Sequence, residues 1–234
     1  MISTFWSLED LGLINLTIVQ VMTKTEDQKP KTDGVAAILL AAGRSHRMGA
    51  FKPLLPFGET TVVESCVNNL QATGVGELVV VVGHRADDVR TVLKERRVRF
   101  AFNPDPGSEM SVSIARGVEQ IDSDTKAVII ALVDQPAVPL EIVEILIREW
   151  RHNDVKLVQP EYQTRGGHPI LIDMAYRQEL LSLDPGRGLR SLFDAHRNEV
   201  RRVPVKSPYV ARDMDTWEDY RRLHEEIFGR PPES

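Results

Sequence analysis

Residue types able to do chemistry gather at three places in the chain. The first is the run Leu39-Leu40-Ala41-Ala42-Gly43-Arg44-Ser45-His46-Arg47-Met48-Gly49-Ala50-Phe51-Lys52. Ala41, Ala42 and Gly43 are small enough for the backbone to approach a ligand closely, and Gly43 is expected to take a positive φ. Successive N–H groups in such a turn make a concavity for anions, and Arg44, Arg47 and Lys52 add cations beside it. Arg47 and Lys52 are placed to bracket a triphosphate and to stabilise charge as its α-phosphate is attacked. A plain strand-to-loop turn with solvated basic side chains is the competing reading. The run lacks the Gly-Lys-Ser/Thr ending of a P-loop. Gly43 and Gly49 are also wrongly spaced for Gly-x-Gly-x-x-Gly, which argues against hydride transfer.

The other two places are acidic. Asp134, in Ala131-Leu132-Val133-Asp134-Gln135-Pro136, ends an apolar run. Ligands of open α/β sheets collect at such strand ends, and magnesium takes one or two carboxylates plus substrate phosphates. An N-cap for the following helix is the alternative role for Asp134. Asp213-Met214-Asp215-Thr216 forms the second cluster, where Thr216 or Asp215 is also a candidate cap for the last helix.

The elements that must position these groups follow from apolar periodicity. Runs 35–40, 78–82 and 127–133 are almost continuously apolar, as strands covered on both faces require. Helical spacing appears over 61–72, with Val62, Val63, Cys66, Val67 and Leu70 on one face and an end near Gly74, and again over 86–95. A short strand over 98–102 precedes a helix over 111–121, and a helix over 139–150 starts at Pro139. Beyond residue 155, strands are expected at 156–160, 169–172 and 200–205, and helices at 174–181, 189–195 and 216–228. Strand–helix alternation at this period implies an α/β fold with a mainly parallel sheet and helices on both faces. One domain is expected over 35–230. Residues 1–34 read as a flexible leader, with Met22 as an alternative start to Met1.

Bulk properties narrow the class. The chain has 234 residues, 42% hydrophobic and 27% charged, with a net charge of −5 and no long basic tract, so nucleic acid is not its expected main partner. No apolar run is long enough for a membrane helix, and no basic region precedes the mildly apolar stretch 11–21, so neither a membrane nor a signal peptide is expected. Cys66 is the single cysteine, so no intramolecular disulfide can form; it reads as a core thiol in a reducing, cytoplasmic setting.

Leu40-Ala41-Ala42-Gly43, Arg47-Met48-Gly49 and Lys52 resemble the signature loop of the MobA-like NTP transferases, which include molybdenum cofactor guanylyl- and cytidylyltransferases. The resemblance spans about residues 35–228. It implies a single Rossmann-like three-layer α/β/α domain with a mixed sheet, of the nucleotide-diphospho-sugar transferase type. It implies catalytic roles for Arg47 and Lys52, a nucleotide held by Leu40, Ala41, Ala42, Gly43 and Arg44, and Mg2+ held between Asp134 and Asp215 with Asp213 assisting.

By the same resemblance, Gly83 lies near the base, and Asn103 and Ser111 recognise base and ribose; without it, Ser111 is a helix N-cap candidate. His168, in Gly166-Gly167-His168-Pro169, and Arg187 and Arg190, in Gly186-Arg187-Gly188-Leu189-Arg190, match acceptor-binding elements. Their alternative roles are a packed histidine and solvated helix-start charges. The Ala-Ala-Gly loop and Asp-Gln-Pro element are similar to the cytidylyl branch, which implies CTP and a molybdopterin-type acceptor, with transient contact with a molybdoenzyme. Three rivals stand beside this reading. One is transfer from GTP, or to a sugar or methylerythritol phosphate. The others are a non-catalytic cofactor-insertion partner and a pyridine-dye oxidoreductase.

Overall fold

The uninterrupted apolar runs form the centre of one sheet. The computed structural model describes residues 32–44, 48–105 and 107–232. Its elements are β1 (Thr32–Ala41), β2 (Pro56–Phe57), β3 (Thr60–Thr61), α1 (Val62–Ala72), β4 (Val75–Val82), α2 (Ala86–Val92), β5 (Arg99–Phe102), α3 (Met110–Glu119) and β6 (Ala127–Leu132). They continue with α4 (Leu140–His152), β7 (Leu157–Tyr162), β8 (Arg165–Gly166), β9 (Ile170–Asp173), α5 (Arg177–Leu181), α6 (Leu189–Ala195), β10 (Val200–Pro204) and α7 (Trp217–Phe228). The sheet runs β10-β7-β9-β6-β1-β4-β5, with β8 paired to β7. β1 is parallel to β4 and β6, and β4 to β5, whereas β9 is antiparallel to β6 and β7.

Alternation along β1 explains why both faces are covered. Val35, Ala37, Leu39 and Ala41 join one apolar cluster, together with Val63 and Val67 of α1, Leu146 of α4 and Tyr220 of α7. Ala36, Ile38 and Leu40 join the other, with Ile114 and Val118 of α3, Leu180 of α5 and Leu192 of α6. The result is the three-layer α/β/α arrangement, with β1 burying side chains on both sides. Complete burial of residues such as Ile38 and Leu39 contributes roughly 1.5–3 kcal/mol each.

Local signals set most helix starts. Thr61 and Glu64 form a capping box at α1, and Thr216 and Asp219 form another at α7. Thr216, not Asp215, therefore caps the last helix. Helix α4 has Pro139 at its N-cap, so Asp134 caps nothing. Helix α3 starts one residue earlier than expected, with Glu109 at its N-cap and Ser111 inside the first turn. The expected helix over 174–181 is a 3-10 turn, Met174–Tyr176, followed by α5.

β1 begins at Thr32, upstream of residue 35, with a register break before Ala36. The β2–β3 hairpin, which the periodicity does not reveal, carries α7: Tyr220 Oη donates to the Pro56 carbonyl at 2.6 Å. No helix among the described residues is long and apolar enough to cross a membrane.

Helix α3 lies close against the sheet because residue 117 has no side chain. A Cβ there would stand 2.7 Å from Ile38 Cγ2 and 3.1 Å from Val81 Cγ2, and both of those residues are fully buried. Gly117→Ala gains up to about 1 kcal/mol of helix propensity. It also overpacks a closed core, which typically costs about 1–3 kcal/mol. The variant is expected to lose about 1 kcal/mol of stability in urea unfolding; an unchanged or higher midpoint would show that α3 can move away from β1.

Candidate active site

A cleft of about 350 Å³ opens where β1, β5 and β6 end, and it is lined by Leu40, Ala42, Gly43, Lys52, Asn103, Asp134 and Asp215 among others. Parallel strands point their C-terminal ends the same way, so loops far apart in sequence meet there. Lys52 opens the 3-10 turn Lys52–Leu54, and the preceding Phe51 is buried, edge-on to His84 with the rings 5.8 Å apart. This anchor points Lys52 inward, where it is only 7% exposed.

An ammonium that deep needs compensating charge. Lys52 Nζ donates to Asp215 Oδ1 at 2.7 Å and lies 3.8 Å from Asp134 Oδ2. The Met214 N–H donates to the Asp134 carbonyl at 2.9 Å, which brings the 213–215 segment against the end of β6. Met214 itself is buried in the core, while its neighbours Asp213 and Asp215 both lie near enough to Asp134 to act on its charge.

Burial, reinforced by the nearby Asp213 carboxylate, pushes Asp134 up to about 6; Lys52 pulls it down and Asp215 adds to the rise. Like charge thus accumulates around a position that already accepts a cation. Two carboxylates flanking a lysine ammonium fit a divalent ion as well. Among the described residues, no group of three His, Cys, Asp or Glu side chains forms a ready metal cage. Asp134 and Asp215 would supply carboxylate oxygens, as is usual when phosphates complete a magnesium shell.

Several expected residues take other places. Arg47 lies outside the described residues. Ala41 is buried in the core and turned from the cleft, because the strand alternation continues through it. Arg44 is exposed and does not line the cleft. Gly43 does line it, with open space where a Cβ would stand, but it is Gly49, at φ 66°, that takes the left-handed conformation expected of Gly43.

Gly83 is packed between loops and does not line the cleft. A Cβ there would meet the Ala42 carbonyl at 3.0 Å and the Asn103 carbonyl at 3.1 Å. The Asn103 amide is used internally, donating to Ser108 Oγ and Ser113 Oγ at 2.9 Å each and accepting from the Asp105 N–H at 3.2 Å. Ser111 is buried without lining the cleft; Ser108, Ser113 and Asp105, which sequence reasoning missed, do line it. The Asn-Pro-Asp-Pro-Gly-Ser composition of 103–108 marked a turn there but not which side chains face inward.

The expected acceptor residues lie outside the cleft. His168 is packed beside Ile130, and burial holds its imidazole below the ordinary value, with Asp213 partly opposing this. Its backbone N–H donates to the Val210 carbonyl at 2.8 Å, mooring the segment that leads to Asp213. Gly167 is required there because a Cβ would overlap the Val210 carbonyl. Arg187 pairs with Asp194, and Arg190 is exposed on α6. Cys66 is buried, and burial raises its thiol far above the ordinary value, as suits a core residue and not a nucleophile.

Comparison with known proteins agrees with this architecture. The MobA-like NTP transferase domain matches residues 37–200. Nicotine blue oxidoreductase of Paenarthrobacter nicotinovorans is 29% identical, covering 81% of this chain and 96% of its own. Molybdenum cofactor cytidylyltransferase of Escherichia coli (strain K12) is 22% identical, covering 80% and 93%. A probable molybdenum cofactor guanylyltransferase of Methanosarcina acetivorans is 28% identical, covering 76% of each chain. Among solved structures, the Rv0371C complex with manganese from Mycobacterium tuberculosis H37Rv superposes with a TM-score of 0.70 at 26% identity, covering 82% of this chain and 98% of that one. On the fold, the cleft and the family match, the chain belongs to the MobA-like NTP transferase family and is a nucleotidyltransferase.

Proposed function

We propose that this enzyme transfers CMP from CTP to the terminal phosphate of a molybdopterin-type acceptor, releasing pyrophosphate. The observation that carries the reading is the meeting of Lys52, Asp134 and Asp215 in a cleft that the Ala42-Gly43 loop also lines. In this reaction an acceptor phosphate oxygen forms a bond to the α-phosphorus, and the bond from that phosphorus to the α,β-bridging oxygen breaks. Phosphate oxygens are nucleophilic near neutral pH, so alignment and charge neutralisation suffice and no protein nucleophile is required. Asp134 and Asp215 would hold Mg2+, which when bound supplies positive charge to the phosphates. Lys52, whose ammonium lies beside both carboxylates, would neutralise charge on the triphosphate. The open space beside Gly43 admits the phosphates against the backbone.

Overall identity does not favour CTP, being 28% to the guanylyl relative and 22% to the cytidylyl one. The preference rests on the loop, where the guanylyl branch has glycine at the place of Ala42. Ala42 lines the cleft beside Gly43, at the position where the two branches differ. Arg47 serves with Lys52 in this proposal, and His168, Arg187 and Arg190 serve the acceptor.

Pyrophosphate release measured with each NTP and molybdopterin is expected to be fastest with CTP. Faster release with GTP would overturn the base assignment, and turnover of a nicotinamide cofactor without pyrophosphate release would overturn transfer itself. Lys52→Ala and Asp215→Asn are each expected to lower kcat about 10²–10³-fold while the protein stays folded. Activity within threefold of the parent in either variant would remove that residue from the chemistry.

Asp134 also links function to stability. Its carboxyl, raised to about 6 in the folded state, binds a proton more readily there than in the unfolded chain. Its contribution is therefore fully present below the ordinary carboxylate range, is lost as pH rises through about 6, and leaves a strained charge at neutral pH. Asp134→Asn is expected to stabilise the metal-free protein in EDTA at pH 7.5 by about 1–2 kcal/mol, discounted because the side chain is 29% exposed. The gain should shrink towards pH 4.5 in thermal unfolding. A gain that is equal at both pH values would show that Asp134 is not held in its unfavourable form.

A further inference from the structure

Asp215 is carried by a stretch with little regular structure. Between the 3-10 turn Pro208–Ala211 and the Thr216 cap of α7, residues 212–215 belong to no helix or strand. Placing a carboxylate 2.7 Å from Lys52 Nζ on such a segment requires restraints from outside it. One is the Met214 N–H bond to the Asp134 carbonyl. The other is a side chain: Gln135 Nε2 donates to Asp213 Oδ1 at 2.8 Å and lies 3.5 Å from the Val210 carbonyl. Gln135 is 7% exposed. Both neighbours of Nε2 are acceptors, which determines which way the amide faces. Oε1 has no partner among the described residues, so the amide's anchoring runs through Nε2.

The Gln135 bond holds Asp213, the next residue Met214 is locked in the core at 1% exposure, and Asp215 follows directly, beside Lys52. Residue 213 is thereby hooked and residue 215 is presented. We propose that Gln135 is a positioning residue whose amide latches Asp213, so that Asp213 acts as the anchor of the segment and Asp215 as the carboxylate offered to the cation. The proposal rests on the reading of Asp134 and Asp215 as cation-binding groups. A neutral donor suits this role, because a lysine at 135 would compete with the cation and a glutamate would repel Asp213. Residues that orient metal-binding side chains commonly change affinity by 10–100-fold when altered.

The test is a bond reversal. Gln135→Glu sets two carboxylates against each other, and adding Asp213→Asn restores a hydrogen bond with donor and acceptor exchanged. Gln135→Leu removes the latch while the exposed Asp213 is left to water, so this variant is expected to fold even if Gln135→Glu does not. Mn2+ alone, titrated by EPR, is expected to bind about 10-fold more weakly to Gln135→Leu and about 10–100-fold more weakly to Gln135→Glu. The double variant Gln135→Glu with Asp213→Asn should bind at least about threefold more tightly than Gln135→Glu, short of the parent because residue 135 still faces the Val210 carbonyl.

Parental Mn2+ affinity in Gln135→Leu, or no recovery in a folded double variant, would overturn the proposal. Thermal unfolding of the same set plus Asp213→Asn in EDTA needs no metal. Midpoints that depart from additivity by about 2–4 °C support the latch, and strict additivity overturns it. Failure of the parent protein itself to bind Mn2+ counts against the cation-site reading alone, because the unfolding cycle still decides the latch.

Discussion

A lysine ammonium with almost no access to water holds the active end of this enzyme together. Lys52 follows the first loop of the sheet, while its tightest carboxylate partner, Asp215, lies 163 positions further on, just before the last helix. Removing an ammonium from water costs several kcal/mol unless charge and hydrogen bonds replace the solvent. The C-terminal segment must therefore close over the β1 loop for either to be stable as built. The same pairing draws in Asp134, and with Asp213 near by, three carboxylates come to share one small volume. Burial and like charge at such close quarters push the Asp134 carboxyl up.

The sheet makes this closure possible by placing loop ends side by side. Register pairs Leu40 of β1 with both Val81 of β4 and Leu132 of β6, so the residues just beyond these strands face a common space. Close packing then removes the slack. Gly83 lets the Ala42 and Asn103 carbonyls close in on the end of β4, and Gly167 lets its segment come up to the Val210 carbonyl. That carbonyl accepts from His168 N–H, which moors the segment leading to Asp215. The Gly-His-Pro element thus has a structural role in this chain whatever it does for an acceptor.

Much of the architecture was legible because it depends on short-range patterns. Continuous apolar runs are sufficient to mark doubly covered strands, and the helical spacing of Val62, Val63, Cys66, Val67 and Leu70 marks α1. Two-residue strands such as β2, β3 and β8 escaped because no periodicity can register over so few positions. Within the cleft, residue type marked Lys52, Asp134 and the Asp213–Asp215 pair as candidates, and only the family resemblance favoured Asp215 over Asp213 and over a capping role. Residue type could not say which serine of 108, 111 and 113 faces inward, since α3 begins at Met110 and its helical phase is set by packing on Ile38 and Val81.

The order of residues alone dictates the layers, the strands of the central sheet and the chemistry its polar groups are capable of. These follow from backbone preferences and side-chain polarity, which act over a few residues. Folding in three dimensions is what turns Ala41 to the core while Ala42 and Gly43 face the cleft, commits the Asn103 amide to its own loop, and makes Asp134 titrate near 6. It also gives Thr216 the capping role, leaving Asp215 to Lys52. Such outcomes depend on burial and on charges brought together from distant parts of the chain, and no local pattern encodes the distance between two loops that meet only after the sheet has formed.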